Sequence, residues 1–355
     1  MPLVYYVSGH GFGHARRTSE ILRHLADLRP DLRVTVRTTA PPAIFAGLPT
    51  VTVDPPPMLL DPGVVERDTL TVDGPASLHK LADFFQSYDT AVASESAYIA
   101  AARPGLVAAD ISFLPGDAAH RADIPCVGVG NFTWDWIYQS FAPESPEHID
   151  RVAAAYRRME CLLQLPLGHP VDSFRQVIPM PLVAGQPRIA RDDVLARLDI
   201  DDPRPRVLVA MRGGVSDHAL LTAARQSPHL LLLCTQRPRD APANLRPIAI
   251  TPPLDFTDVL AASDVVLSKI GYGILADCIV TGAAIAYPPR TGFAEDAISL
   301  QICPRYLRMA EIAPADFESG RWRGALDAAL AQPIPSDAMD ITGTAKVAAW
   351  LAGRV

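Results

Sequence analysis

The feature that most constrains the fold is a short apolar run followed by a glycine-rich turn and an amphipathic helix, all within the first 30 residues. The apolar run Leu3–Val7 is followed by Ser8 and then by six residues that include three glycines and two histidines. Helical spacing of apolar residues begins near Ala15, with one face formed by Ile21, Leu22, Leu25 and Leu28. A strand, a glycine turn and a helix form the opening unit of nucleotide-binding α/β domains, in which ligands bind beyond the carboxyl ends of the strands.

The residues of this turn are themselves candidates for function. Glycine lets the backbone turn sharply and lets a ligand approach closely, and the start of the helix offers backbone N–H groups with a partial positive charge. His10 and His14 place two imidazoles there, and imidazole suits proton transfer near neutral pH. We predict a functional turn with His14 or His10 as general base. The alternative is a structural turn, because such glycine patterns also occur without a ligand.

Composition limits the classes of protein and partner. The chain has 355 residues, enough for two domains with full cores, and a net charge of −7, which disfavours nucleic acid as a partner. The five cysteines form no Cys-x-x-Cys pair, which indicates buried thiols in a reducing compartment. We expect no metal site, no transmembrane segment and a cytoplasmic location. Arg16, Arg17 and Arg23 leave peripheral membrane contact open as an alternative to solvent exposure.

Alternating strand and helix patterns divide the chain into two similar parts. We predict a first doubly wound α/β domain over residues 1–166, a proline-rich linker over 167–188 and a second α/β domain over 189–335. The helix predicted over 343–353 is expected to pack back on the first domain. The proline-rich segment 54–73 is interpreted as an irregular loop, either near the mouth of the site or as a surface excursion. Two such domains enclose a cleft, which is the usual place for a small-molecule site.

Three predicted strand ends of the second domain carry residues suited to a sugar nucleotide. The first has Arg212 and paired glycines that could close on a diphosphate, and the second has Lys269 with a glycine turn and Asp277 one turn later. At the third, an acidic pair could accept hydrogen bonds from sugar hydroxyls. Each has a structural alternative as a plain turn or a charge on a helix face. The candidate donor-binding residues here are Arg212, Gly213, Gly214, Lys269, Gly271, Tyr272, Gly273, Asp277, Glu295 and Asp296.

Several stretches together resemble the GT-B glycosyltransferases, in particular the group that contains the peptidoglycan N-acetylglucosaminyltransferase. More closely than the wider group, the chain resembles the amino-terminal, glycosyltransferase-like domain of L-arabinokinase and its stand-alone bacterial relatives. The most specific matches are Asn-Phe-Thr-Trp-Asp-Trp at 131–136 and Lys-Ile-Gly-Tyr-Gly at 269–273. The resemblance implies two Rossmann-like domains facing a central cleft. The kinase part of L-arabinokinase has no counterpart in the pattern, so we do not expect kinase activity. The other matching stretches are residues 5–17, 181–184 and 288–296.

The resemblance also implies roles for particular residues. The second domain would hold the donor and the first most of the acceptor, with His14 at the position of a candidate general base. Asp277 stands where the family has a glutamate that binds the donor ribose. The pair Glu295 and Asp296 replaces amides that contact the donor sugar. Further expected sites are Pro253 and Leu254 near the base, Asp110 to orient an imidazole, and, for the acceptor, Gly11, Phe12, Gly13, Trp134, Asp135 and Trp136. The three residues at 134–136 have domain packing as their alternative role.

The resulting prediction is a metal-independent, inverting glycosyltransferase. It would move a sugar from a nucleotide-diphosphate donor, expected to be a UDP-sugar that serves as substrate rather than cofactor, to a hydroxyl-bearing small molecule or glycan. Two alternatives remain open. One is a non-catalytic sensor or accessory protein that binds a sugar nucleotide, and the other is a sugar-nucleotide 2-epimerase.

Overall fold

The structure, a computed structural model, describes residues 1–142, 147–211 and 213–355. These residues form two parallel sheets, one of seven strands and one of six, and a two-stranded antiparallel hairpin. Helices separate most of the successive strands of both sheets, so the protein is an α/β protein built from two doubly wound units. We call the unit around the seven-stranded sheet the first lobe and the unit around the six-stranded sheet the second lobe.

The sheet of the first lobe has the order β3-β2-β1-β6-β7-β8-β9. Its central strands β1 and β6 consist entirely of buried residues, as expected for parallel strands covered by helices on both faces. Their register places Val7 opposite Asp110, so the carboxyl ends of these two strands lie side by side. The first nine strands are β1 Leu3–Val7, β2 Val34–Arg37, β3 Val51–Val53, β4 Val65–Asp68, β5 Thr71–Asp73, β6 Leu106–Asp110, β7 Cys126–Gly130, β8 Cys161–Gln164 and β9 Val177–Pro179.

The helices of the first lobe connect these parallel strands. Helix α1 begins at Gly13, directly after the glycine turn, and buries Ile21, Leu22 and Leu25 on the face that the sequence pattern predicts. The five helices are α1 Gly13–Leu28, α2 Gly74–Ala102, α3 Leu114–Arg121, α4 Trp134–Gln139 and α5 Glu147–Tyr156, with a short 3-10 helix at Pro42–Phe45.

The sheet of the second lobe has the order β12-β11-β10-β13-β14-β15 and is also parallel throughout. Its strands are β10 Arg206–Val209, β11 Leu231–Cys234, β12 Leu245–Pro247, β13 Val265–Leu267, β14 Ala284–Tyr287 and β15 Met309–Glu311. The remaining helices are α6 Arg191–Arg197, α7 Asp217–Gln226, α8 Phe256–Ala261, α9 Tyr272–Thr281, α10 Ala294–Ile302, α11 Pro314–Ser319, α12 Arg323–Ala331 and α13 Gly343–Ala352, with a 3-10 helix at Cys303–Arg305.

Two segments test the predicted C-terminal helix and the predicted linker between the lobes. Helix α13 follows the second lobe in sequence but packs on α1, where Arg29 Nη1 donates to the carbonyl oxygens of Ala352 and Val355 at 3.4 Å each. Strand β9 lies inside the segment 167–188, which the sequence pattern assigns to a linker, and pairs in parallel with β8. The strand pairs over only three residues, one of which is Pro179. A pattern of apolar and polar residues over so few positions is too short to predict a strand from the sequence.

The hairpin formed by β4 and β5 corrects the interpretation of segment 54–73 as wholly irregular. We refer to residues 65–73 as the hairpin. Its tip leaves the first lobe and meets the second, where Val72 N donates to Thr291 O at 3.0 Å and Thr291 N donates to Leu70 O at 2.9 Å. Leu70 packs against an apolar cluster of the second lobe. The hairpin therefore bridges the cleft between the lobes.

In the parts of the chain that the structure describes, no helix combines the length and the apolar character needed to cross a lipid bilayer.

Candidate active site

Two adjoining cavities lie where the glycine turn of the first lobe faces the second lobe. The larger, of about 280 Å³, is lined by residues 10–14 from the first lobe and by residues 268–274 from the second. The smaller, of about 200 Å³, lies beside α1 and α9 and includes Asp277 in its wall. Because both lobes contribute to each wall, a ligand bound here would contact both. The residues common to the two cavities are Gly13, Arg17, Ser268, Gly273 and Ile274.

The N-termini of α1 and α9 meet at the junction of the cavities. A Cβ atom built on Gly273 would lie 3.9 Å from the Cα of Gly13, so the two helix starts are in near contact. Neither Phe12 nor Gly271, the residues that precede these helices, caps its helix with a side-chain hydrogen bond. Two helix starts therefore direct backbone N–H groups and partial positive charge toward one place, an arrangement that suits an anionic ligand.

His14 and Asp110 form a hydrogen-bonded pair at the wall of the larger cavity. His14 lies in the first turn of α1 and Asp110 ends β6, and their Nδ1 and Oδ1 atoms are 2.8 Å apart. Burial alone would raise the pKa of Asp110, but the adjacent Arg17 guanidinium and His14 outweigh it and hold the pKa at about 2. The carboxylate is therefore ionised and only accepts hydrogen bonds, so Nδ1 of His14 donates in this contact, which in the neutral imidazole leaves Nε2 as the acceptor. Arg17 Nη2 lies 3.1 Å from the same Nδ1 and donates to Asp110 Oδ1.

Arg17 and Thr18 hold this carboxylate in place. The Nε of Arg17 donates to Asp110 Oδ2 at 2.7 Å and its Nη2 to Oδ1 at 2.6 Å, while the Thr18 hydroxyl donates to Oδ2 at 2.9 Å. Arg17 is buried, with 5% of its surface exposed. This settles the choice between membrane contact and solvent for Arg17, because a buried side chain faces neither.

A chain of hydrogen bonds continues from Arg17 across the cleft. Arg17 Nη1 donates to Asn131 Oδ1 at 2.8 Å, and Asn131 Nδ2 donates to Glu295 Oε1 of the second lobe at 2.7 Å. Burial raises the pKa of Glu295, against the opposing effects of Arg290 and Asn131. Sequence reasoning missed Asn131 as a site residue. The available signal was its place immediately after β7, at the same edge of the sheet as Asp110.

Half of the twelve residues predicted to bind the donor line one of the two cavities. Lys269, Gly271, Tyr272, Gly273 and Glu295 line the larger cavity, and the Tyr272 hydroxyl accepts a hydrogen bond from Val183 N at 3.0 Å.

Asp277 lines the smaller cavity instead. Its Oδ1 accepts from Gly185 N at 3.1 Å, and its Oδ2 lies 3.8 Å from Arg16 Nη2. Burial raises the pKa of Asp277 to about 6, although Arg16 and the Gly185 N–H act in the opposite direction. A ribose contact by this carboxylate stays a prediction.

Other predicted donor residues lie outside both cavities. Asp296 forms a two-pronged ion pair with Arg290, at 2.9 Å to Nε and 2.5 Å to Nη2, and only Arg290 of this pair lines the larger cavity. Leu254 is buried in the apolar core, and Pro253 follows a cis peptide bond. Arg212 lies outside the described residues. The glycine pair predicted beside it, Gly213 and Gly214, has left-handed backbone conformations with φ of +83° and +78°, and neither residue lines a cavity.

The residues predicted for the acceptor divide into two groups. Gly11, Phe12 and Gly13 line the larger cavity together with the two candidate bases, His10 and His14. Trp134, Asp135 and Trp136 do not line either cavity, although Trp134 contacts the ring of His10 with centroids 5.7 Å apart, so their role as an acceptor platform stays a prediction. Trp134 is fully buried and its ring stacks on Tyr138, while the ring of Trp136 stacks on His169 with centroids 4.1 Å apart. Asp135 accepts from the Ser173 hydroxyl at 3.4 Å. The packing alternative describes all three.

Among the described residues, no group of three or more histidine, cysteine, aspartate or glutamate side chains is arranged to hold a metal ion.

Comparison with solved structures identifies the fold. The glycosyltransferase SnogD from Streptomyces nogalater superposes with a TM-score of 0.59 at 18% identity, covering 99% of each chain. UGT89C1 from Arabidopsis thaliana, solved in complex with quercetin, gives a TM-score of 0.62 at 15% identity, covering 99% of this chain and 93% of that protein. The protein has the GT-B fold. At these identities the likeness establishes the fold alone.

One curated relative of this GT-B protein shares much more of its sequence. L-arabinokinase from Arabidopsis thaliana is 31% identical over 342 residues, which cover 92% of this chain and 32% of the relative. The chain therefore spans about a third of the length of that protein. No family model matches the chain. The resemblance to GT-B glycosyltransferases and to L-arabinokinase, predicted from the sequence motifs, is confirmed.

Proposed function

We propose that this GT-B protein transfers a sugar from a nucleotide-diphosphate donor to a hydroxyl acceptor. The observation that carries the proposal is the His14–Asp110 pair, 2.8 Å apart, in the wall of the same cavity that receives the N-terminus of α9. One side of the cavity thus offers a base and the other offers donors for an anionic leaving group. This combination is what transfer from a nucleotide sugar requires.

The donor is proposed to span both cavities. Its nucleoside would occupy the smaller cavity, with Asp277 near the ribose, and its diphosphate would lie at the junction where Gly13 meets Gly273. The sugar would occupy the larger cavity near Glu295. Backbone N–H groups of α9, together with Lys269, would stabilise the charge on the departing diphosphate, so the proposal needs no metal ion. A UDP-sugar is the donor that we expect.

The proposed chemical step is a direct displacement. Nε2 of His14 takes the proton of the acceptor hydroxyl, and that oxygen attacks the anomeric carbon as the bond to the diphosphate oxygen breaks. Attack opposite the leaving group inverts the anomeric centre, and the nucleoside diphosphate leaves with the bonding electron pair. The ionised Asp110 stabilises the imidazolium that forms. General base catalysis of this kind is typically worth about 10²- to 10⁴-fold in rate.

The test measures nucleoside diphosphate release from a panel of UDP-, GDP-, dTDP- and ADP-sugars, each with a series of hydroxyl acceptors. L-arabinose is included because the name of the curated relative attaches this sugar to that protein. We expect His14→Ala to lower the rate at least about 100-fold, with the exposed His120→Ala as matched control. A His14→Ala variant with the wild-type rate would remove His14 from the role of base.

Melting temperatures measured with the same panel of sugar nucleotides separate the transferase from a sensor. A sensor would show a higher melting temperature with a sugar nucleotide, because binding to the native state stabilises it, but would release no diphosphate with any acceptor. An epimerase would convert the donor sugar without needing an acceptor.

A further inference from the structure

Lys269 is paired with the hairpin of the opposite lobe. Its Nζ donates to Glu66 Oε1 at 3.0 Å and to the carbonyl oxygen of Thr69 at 3.3 Å. Both side chains are mostly buried, with 18% of Lys269 and 28% of Glu66 exposed, and both line the larger cavity. The lysine that the donor proposal assigns to a phosphate thus already holds an anion supplied by the protein.

The contacts of the hairpin position the Glu66 carboxylate beside Lys269. Its tip pairs through its backbone with Thr291, and Gly292 permits the approach because it has φ of +79° and lies so close that a Cβ would be 2.9 Å from Val72 O. Arg67 donates to Asp73 at 2.7 Å across the hairpin, which braces its two strands. Glu66 pairs with Val72 across the hairpin, so the backbone contacts of Val72 and Leu70 with Thr291 help to hold Glu66 near Lys269 in addition to the ion pair.

A carboxylate and a phosphate compete for one ammonium group. Glu66 neutralises Lys269 in this structure, and a diphosphate oxygen that paired with Lys269 would come close to the Glu66 carboxylate. Like charges at such a distance repel, so both anions cannot keep the same short contact. An ion pair that retains some solvent exposure is weak, so a diphosphate held by additional backbone N–H groups can replace it.

We propose that Glu66 occupies the place of a donor phosphate oxygen at Lys269, so that a bound nucleoside diphosphate displaces its carboxylate from the ammonium group. This inference rests on the proposed function. Glu66 thus competes with the donor diphosphate for the ammonium group of Lys269. This competition weakens binding of the diphosphate product and so favours its release. Glu66 acts through Lys269 and is a positioning residue, not a catalytic one.

The test is isothermal titration of UDP, GDP, dTDP and ADP into the full chain and its variants. Glu66→Gln keeps the shape of the side chain and removes its charge, and we expect it to lower the Kd by about two- to fivefold, as the strength of such an ion pair predicts. The control is Glu318→Gln, which makes the same change of charge at an exposed position of α11 and should leave the Kd unchanged. Glu66→Ala serves as a second variant without hydrogen-bonding capacity.

A double-mutant cycle shows whether the effect passes through Lys269. Lys269→Met should weaken binding, and adding Glu66→Gln to it should then change nothing further. An unchanged or higher Kd in both Glu66 variants overturns the competitor role while the proposed function stands. The corresponding sugar nucleotides are titrated in the same way. If the Glu66 variants bind the diphosphates as wild type does but bind the sugar nucleotide more weakly, the competitor role is also overturned, because Glu66 would then contact the sugar. If none of the four nucleotides binds the wild-type chain, the proposed function and this inference both fail.

Discussion

The ionised carboxylate of Asp277 should lower the free energy of unfolding at alkaline pH, and the substitution Asp277→Asn should restore it. Burial raises the pKa of Asp277 from 3.8 to about 6. A change of one in pKa corresponds to about 1.4 kcal/mol, so the ionised form destabilises the native state by about 3 kcal/mol. Asparagine stays neutral and still offers an oxygen to the N–H of Gly185, the hydrogen bond that Asp277 makes at 3.1 Å.

The direction of this pH dependence follows from proton binding. Because the pKa of Asp277 is higher in the folded than in the unfolded state, the folded state binds the proton more tightly, and the wild-type chain gains stability as pH falls below about 6. The asparagine variant lacks this gain. Its advantage over wild type should therefore be largest near pH 8 and smaller by about 1.4 kcal/mol at pH 5, which lies below the pKa of the folded state.

Thermal unfolding at pH 8 and pH 5 measures this difference. With an unfolding entropy of about 2.1 cal/mol/K per residue, 1.4 kcal/mol corresponds to about 2 °C in a chain of this length. The exposed Asp201→Asn is the matched control and should show no change with pH relative to wild type. An Asp277→Asn advantage that is equal at both pH values, or larger at pH 5, would refute the reasoning.

Three further substitutions test the geometry of the site. Asp110→Ala leaves the buried Arg17 guanidinium without its counter-ion and should lower the free energy of unfolding by about 3 to 5 kcal/mol, measured by chemical denaturation. Gly292→Ala places a side chain at φ +79° against the hairpin and should cost at least about 1 to 2 kcal/mol in the same assay. Gly273→Ala adds a methyl group 3.9 Å from the glycine of α1, an ordinary contact that should leave the melting temperature unreduced. Crowding at the junction should nevertheless weaken nucleotide binding about tenfold in titration calorimetry.

The part of the site that could be predicted from sequence is the part fixed by local chain geometry. The glycine turn before α1 places His14 at the end of β1, and Asp110 ends the next strand in the sheet. Because the carboxyl ends of neighbouring parallel strands meet at one edge, the order of strands brings these two residues to the same edge of the sheet, where Arg17 and Thr18 hold the Asp110 carboxylate toward His14. The same argument places Lys269 and Gly273 at the cleft.

The part that sequence reasoning missed depends on contacts between distant segments. Glu66 reaches Lys269 only because the hairpin crosses from one lobe to the other, and no pattern within residues 54–73 indicates what its tip will touch. Trp134 follows β7 as a site residue would, yet its large apolar ring is fully buried in the first lobe. Position at a strand end therefore predicts where the backbone lies, while the direction of the side chain depends on packing.

The hydrogen bonds around Asp110 also explain how the two lobes can act together. Arg17 holds Asp110 on one side and, through Asn131, contacts Glu295 of the second lobe on the other. If the lobes separate, the Asn131–Glu295 hydrogen bond is lost and Glu295 becomes hydrated, which removes the burial that raises its pKa. Contact between the lobes therefore buries a carboxylate beside the proposed sugar position and orders the amide that contacts Arg17. One continuous chain of hydrogen bonds thus links the proposed base to the wall of the proposed donor cavity.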